Sequence, residues 1–154
     1  MIRATKRYLC AAAALTLLSL SACASAPDTA KDEADVTATL NTFYGAMKTG
    51  DTTTAMSMIA EDAQFIESGR LETRDEYEKN HLPNDIDFEQ QVNGKRGPLR
   101  IRINGDVAWV IASTEFVGTF DGHDLAFVSS QLAVLAREDA GWRIRSIHWS
   151  SRPL

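Results

Sequence analysis

The sequence predicts an α+β domain, with three N-terminal helices packed on one face of a strongly curved, mostly antiparallel sheet. Three observations predict it. Apolar residues recur at helical spacing as far as Leu82, period-two patterning takes over after Pro83, and the later segments are joined by short turn signals such as Asn104-Gly105 and Asp121-Gly122.

The elements follow in order. From Glu33, the residues Val36, Leu40, Phe43, Tyr44 and Met47 make one helical stripe, which Gly50 ends. Asp51 has the chemistry of an N-cap for a short second helix carrying Ala55, Met56 and Ile59. "AQFIESGRLET" reads as two short strands around Ser68-Gly69, where glycine tolerates the positive φ of a tight turn. Thr73 and Glu76 stand in capping-box register, so a third helix is expected from Arg74 to Leu82, with Pro83 stopping it. Ile86 to Ile103 is expected to be a long strand interrupted at Gly94 to Pro98. Three further strands are read in "DVAWVIASTEFVGTF", "LAFVSSQLAVLARE" and "GWRIRSIHWSS".

The start of the chain reads as an address. Arg3, Lys6 and Arg7 precede an apolar run from Leu9 to Leu20, too short for a comfortable membrane span but suited to a secretory signal. Leu20-Ser21-Ala22-Cys23 resembles a bacterial lipoprotein cleavage box, so residues 1–22 are expected to be removed, Cys23 to be lipidated and residues 23–32 to form a tether. Cleavage after Ala24-Ser25-Ala26 is the alternative, disfavoured by Pro27. Ala24, where some lipoproteins carry Asp, resembles the outer-membrane sorting pattern, which implies an envelope protein facing the periplasm. Cys10 is the only other cysteine and falls in the leader, which leaves no disulfide for residues 33–154, the expected single domain. The whole chain carries 16 basic and 21 acidic residues; without its leader, 13 basic residues face the same 21, a net charge of −8. A surface of that sign repels phosphate backbones, so nucleic acid is not an expected partner.

The order helix, helix, strand pair, helix, then long hairpin-linked strands is similar to that of the nuclear transport factor 2-like superfamily. That superfamily includes ketosteroid isomerase, scytalone dehydratase and the SnoaL-like cyclases. "FYGAMKTGDTTTAMSMIAEDAQFIESG", "GDVAWV" and "GWRIRSIHWSS" carry the resemblance, which covers nearly all of the chain after the tether and is nearest to SnoaL-like proteins of unassigned function. It implies a cone-shaped sheet with a pocket at its mouth, and often a homodimer made through the sheet.

Period-two alternation in the last strand puts Trp142, Ile144, Ser146, His148 and Ser150 on one face, and Arg143, Arg145, Ile147, Trp149 and Ser151 on the other. The resemblance implies that His148 and Ser150 reach the pocket, and leaves Ile147 and Trp149 for an open, dimer-forming face. Glu67 follows Phe65 on one side of its strand and is the candidate carboxylate, with Glu72 on the paired strand as alternate. His81 lies one helical turn after Tyr77, at the end of the expected third helix, where the dipole favours a protonated ring. The fold implied by the resemblance gathers Glu67, His81 and His148 around one cavity as an acid/base set, and makes Tyr44, Met47, Phe65, Trp109, Gln131 and Ser150 its walls. Which faces of the two central strands line that cavity stays open, because one bulge exchanges them. The same His and Glu residues are plausible metal ligands, although no tight motif such as H-E-x-x-H is present. No phosphate loop, dinucleotide fingerprint or nucleophile motif occurs, so no cofactor is expected. The sequence therefore points to an envelope lipoprotein that binds a small organic molecule. Proton-transfer chemistry of isomerase, dehydratase or hydrolase type and a non-catalytic binding or dimerising role both stay open.

Overall fold

The computed structural model describes residues 29–154. The leader and Cys23 lie outside the described residues. Helix α1 (Thr29–Thr49) starts within the segment expected to be a tether. Its first turn is held by Asp32, which is buried and ion-paired with Arg137 Nη2 at 2.7 Å. Val36, Leu40, Phe43 and Met47 form the buried stripe. Gly50, at φ 74°, ends the helix in a Schellman arrangement, with Gly50 N–H donating to Met47 O at 3.1 Å and Asp51 N–H to Ala46 O at 2.8 Å. Asp51 then caps α2 (Thr52–Ser57), accepting from Thr54 N–H at 2.9 Å. Ile59, expected in that helix, instead opens strand β1 (Ile59–Glu67). β1 returns through Ser68-Gly69, both at positive φ, into β2 (Arg70–Thr73).

The capping box at Thr73 and Glu76 is present, but the third helix runs well past its expected end. It is a single helical segment, residues 74–91, here α3. It comprises Arg74–Glu76, a π-helical turn at Tyr77–His81, and Leu82–Gln91. Pro83 does not stop it. A proline lacks an N–H to donate and crowds the preceding turn, yet it is tolerated in the first turn of a helix, and the π turn makes Leu82–Gln91 start afresh at Pro83. The strand expected over Ile86 to Ile103 is therefore corrected to a helix followed by two short strands, β3 (Gly94–Arg96) and β4 (Arg100–Asn104).

Both pair with β5 (Val107–Phe120), which continues through β6 (His123–Glu138) to β7 (Gly141–Pro153). The seven strands form one sheet in the order β2-β1-β7-β6-β5-β3, with β4 also on β5, and every pairing except parallel β1–β7 is antiparallel. Helices cover its inner face, where Phe65, Val110, Leu135, Ile144 and Ile147 meet the α1 stripe in the core. Among the described residues no helix is long and apolar enough to cross a membrane.

One irregularity decides which residues reach the interior. In β7, Ile144 pairs with Leu135 of β6 and Ser146 pairs with the adjacent Val134, so Arg145 is an extra residue in the ladder. This bulge exchanges the faces of everything beyond it. Trp142 and Ile144 point inward as expected, but then Ile147 and Trp149 do so, while His148 and Ser150 point out. The outer face carries Ile66, His148, Leu132 and Ile111 as one exposed row across four strands, with Trp109 and Val107 beside it. Ile147 and Trp149 are thus not on the open face.

Gly94 of β3 sits so close to β5 that a Cβ there would stand 2.4 Å from Phe116 Cε1 and 2.6 Å from Thr114 Cγ2. Gly94→Ala is expected to destabilise the domain by about 1–3 kcal/mol, read as a lower urea midpoint; an unchanged midpoint would contradict this close seating.

Candidate functional site

A cavity of about 460 Å³ opens between the inner face of the sheet and α3. Met47, Phe88, Phe116, Phe120, Phe127 and Trp149 form its apolar walls, and Glu67, Arg70, Glu72, His81, Asn84 and Asp85 its polar end. Strand pairing sets the latter: Phe65 pairs with Glu72 and Glu67 with Arg70, so Phe65, Glu67 and Glu72 share the inner side of the β1–β2 hairpin and face α3.

His81 joins three carboxylates. Its Nδ1 lies 2.6 Å from Glu72 Oε2, and its Nε2 lies 3.0 Å from Glu67 Oε2 and 3.3 Å from Asp85 Oδ1. Hydrogen bonds with Asp85 and Glu67, then the charge of Asp85 and the bond to Glu72, raise the ring to about 11 against the opposing effect of burial. The ring is an imidazolium at neutral pH, and both of its N–H groups donate. It therefore presents no free nitrogen to a cation, and among the described residues no group of three or more His, Cys, Asp or Glu has the arrangement to hold a metal ion.

The three carboxylates differ in how their oxygens are engaged. Asp85 accepts from His81 on Oδ1 and from Tyr77 O–H on Oδ2 at 2.8 Å. Glu72, nearly buried, faces His81 with Oε2 and Arg70 with Oε1 at 3.3 Å. Glu67, a lining residue of the cavity, uses only Oε2, so among the described residues its Oε1 has no partner. Glu89, farther along α3, has no hydrogen-bond partner among the described residues, and burial pushes its carboxyl above the usual range.

A second mouth of about 400 Å³ shares Tyr44, Glu89, Phe116, Ser129 and Trp149 with the first, and adds Lys48, Arg96 and Gln131. Trp149 Nε1–H donates to Tyr44 Oη at 3.3 Å, and Tyr44 O–H donates to Gln131 Oε1 at 2.6 Å.

Of the residues expected at the site, Glu67, His81 and Tyr44 line the first chamber, and Gln131 lines the second mouth. Four are placed elsewhere. His148 and Ser150 are turned outward by the Arg145 bulge. Trp109 is 38% exposed on the outer face, because the inward register of β5 belongs to Ala108, Val110 and Ala112. Phe65 is fully buried behind the wall, stacked on Tyr77 at 3.8 Å between ring centres. The residues missed were Asp85, Glu89 and Trp149. The first two had a readable signal: Tyr77, His81, Asp85 and Glu89 recur every four residues, the spacing of one helix face. Reading Pro83 as a stop concealed it. Trp149 had none, because its inward direction depends on the bulge.

A model of the SnoaL-like domain matches residues 36–153. No curated protein matches the chain. Solved structures do. A candidate ketosteroid isomerase from Shewanella frigidimarina is similar with a TM-score of 0.70 and 23% identity, over 73% of this chain and 92% of its own. A nuclear transport factor 2-like protein with a cystatin-like fold from Novosphingobium aromaticivorans has a TM-score of 0.66 and 16% identity, over 79% and 82%. A candidate dehydratase of the same superfamily from Streptomyces avermitilis has a TM-score of 0.63 and 19% identity, over 81% and 98%.

The raised pKa of His81 has a signed consequence. Stability contributed by its charged form is fully present below the unfolded histidine value of about 6.5 and is lost as pH rises through about 11. Nitrogen NMR is expected to show His81 doubly protonated from pH 5 to pH 9, and the stability gap between wild type and His81→Gln should narrow above that range. A neutral His81 ring at pH 8 would overturn this account.

Proposed function

The chain belongs to the SnoaL-like domain family, and from that premise we propose that its cavity takes up one small, largely apolar organic molecule and moves a proton on it without a cofactor. The observation that carries this reading is the unengaged Oε1 of Glu67 at the wall of an aromatic-lined cavity. A base must present an oxygen within reach of the proton it takes, and in the His81 cluster Glu67 alone has an oxygen without a partner. His81 is a positioning residue here: by holding Oε2 it fixes which oxygen meets the ligand. Glu67 would take a proton from a carbon beside a carbonyl group, and return it to the same molecule at another position or, where a hydroxyl sits on the next carbon, to that hydroxyl as its C–O bond breaks and it leaves as water. Isomerisation and dehydration both contain such a step, and two of the similar structures are described as candidates for those activities.

A second reading, a ligand-binding module without chemistry, is favoured by one observation: both nitrogens of His81 are committed to carboxylates, which leaves the ring no proton to exchange readily. One experiment separates the two. Apolar ketones and enones, steroid enones among them, are incubated with the full chain in heavy water, and loss of C–H signal is followed by NMR, with thermal shift reporting binding. Exchange is expected, and Glu67→Gln should slow it by about 10²–10⁴-fold while the thermal shift persists. Thermal shifts without exchange, or exchange indifferent to Glu67→Gln, would leave the binding module.

We also propose that Cys23, outside the described residues, carries a lipid that anchors the domain in the cell envelope, on the outer membrane facing the periplasm. Cells fed an alkyne-bearing palmitate are expected to label the wild-type chain and not Cys23→Ser; equal labelling of both would remove the anchor.

A further inference from the structure

We propose that the molecule held in the cavity is an apolar carboxylic acid, its carboxylate seated at the second mouth against Gln131, Arg96 and Lys48. This rests on the reading that the cavity takes up a small organic molecule, and goes beyond it by naming the chemical class.

The first support is an orphaned donor. Gln131 is 8% exposed, and its Nε2 is buried without a partner. Tyr44 Oη accepts from Trp149 Nε1–H and donates its own proton to Gln131 Oε1. Nε2 is left buried with nothing to donate to, in a side chain that lines the second mouth. Native proteins seldom leave a buried donor in that state, and an acceptor oxygen from a bound molecule would satisfy it.

The second support is charge. Lys48 pairs with Asn93 Oδ1 at 3.1 Å, and Arg96 bonds Asn41 Oδ1 while lying 5.4 Å from the Tyr44 ring centre. Both partners are neutral amides, and neither cation has a carboxylate within ion-pair distance among the described residues. Glu89 is the one carboxylate lining that mouth, so the two cations outnumber it. In a chain with 21 acidic and 16 basic residues, an opening with two such cations is suited to an anion and unsuited to an amine.

The third support is register. Glu67 of β1 pairs with Trp149 of β7, and Trp149 with Gln131 of β6, so the three stand side by side on the inner face. With strands about 4.8 Å apart, Glu67 and Gln131 are roughly 10 Å apart across the Trp149 ring. A molecule whose carboxylate meets Gln131 can lay its apolar body along Trp149, Phe116 and Phe127, and bring its far end to Glu67.

The test uses three probes of one shape. Phenylbutyrate, phenylbutanol and phenylbutylamine are titrated calorimetrically into the full chain at neutral pH. Phenylbutyrate is expected to bind about tenfold more tightly than the alcohol, the worth of a charge-assisted hydrogen bond, with the amine weakest. Arg96→Gln should remove most of that preference and leave the alcohol unchanged. Gln131→Glu keeps an acceptor for Tyr44 and replaces the donor with an oxygen, so it should lower phenylbutyrate affinity more than tenfold. Tighter binding of the alcohol or amine than of the acid, or a preference for the acid unmoved by both variants, overturns the carboxylate site and leaves the cavity reading intact. If none of the three binds, the carboxylate site falls together with that reading.

Discussion

Around His81, three chain segments are held together by a single positive charge. Glu67 from the end of β1, Glu72 from β2 and Asp85 from α3 would otherwise converge as three like charges. At 4 Å, and at the effective dielectric of a protein surface, each such pair repels by about 4 kcal/mol. The imidazolium turns that repulsion into three attractions, with Arg70 and the Tyr77 hydroxyl occupying the oxygens that remain on Glu72 and Asp85. The polar end of the cavity therefore exists only while the ring is charged, and the ring is charged because these carboxylates surround it. The dependence is mutual, and it leaves one oxygen, on Glu67, uncommitted.

The rest of the interior divides on either side of this cluster. Toward the start of α1, the stripe of Val36, Leu40 and Phe43 fills the space under the sheet, and the Asp32–Arg137 pair closes that end. Toward the other end, aromatic rings from α3 and from the sheet meet around the cavity. There Phe88 packs edge-on to Phe116 and Phe120 at 5.1 and 5.2 Å, and Phe116 stacks with Phe127 at 5.2 Å, so the rings support one another around the hollow. Trp149 bridges the two regions: its ring stacks near Phe65 and Tyr77, and its N–H starts the chain through Tyr44 to Gln131. An apolar wall with one unengaged carboxylate oxygen at one pole and one unsatisfied amide at the other is the arrangement on which the proposed ligand rests.

Two one-residue offsets decide where Asp85, Glu89, His148, Trp149 and Ser150 lie. The π turn at Tyr77–His81 lets α3 continue past Pro83, and so carries Asp85 and Glu89 into the cavity. The Arg145 bulge exchanges the faces of the last strand, bringing in Trp149 and sending out His148. Arg145 has its own reason to stay in that position, since its guanidinium bonds Asp62 and Glu138 across the neighbouring strands.

By itself, the sequence determined what depends on neighbours along the chain. The Gly50 stop, the Asp51 cap, the capping box at Thr73 and Glu76, the tight turns at Ser68-Gly69 and Asp121-Gly122, and the α+β order with its curved sheet were all legible, because caps and turns are satisfied within a few residues. Glu67, His81, Tyr44 and Gln131 became candidates through the family resemblance, which implies the topology that brings distant elements to one cavity. Only the tertiary structure decided the phase of α3 beyond Pro83 and of β7 beyond Arg145. A π turn or a bulge inserts one residue into a repeat without leaving a residue type that announces it, and the energy that favours the insertion comes from contacts made across the fold.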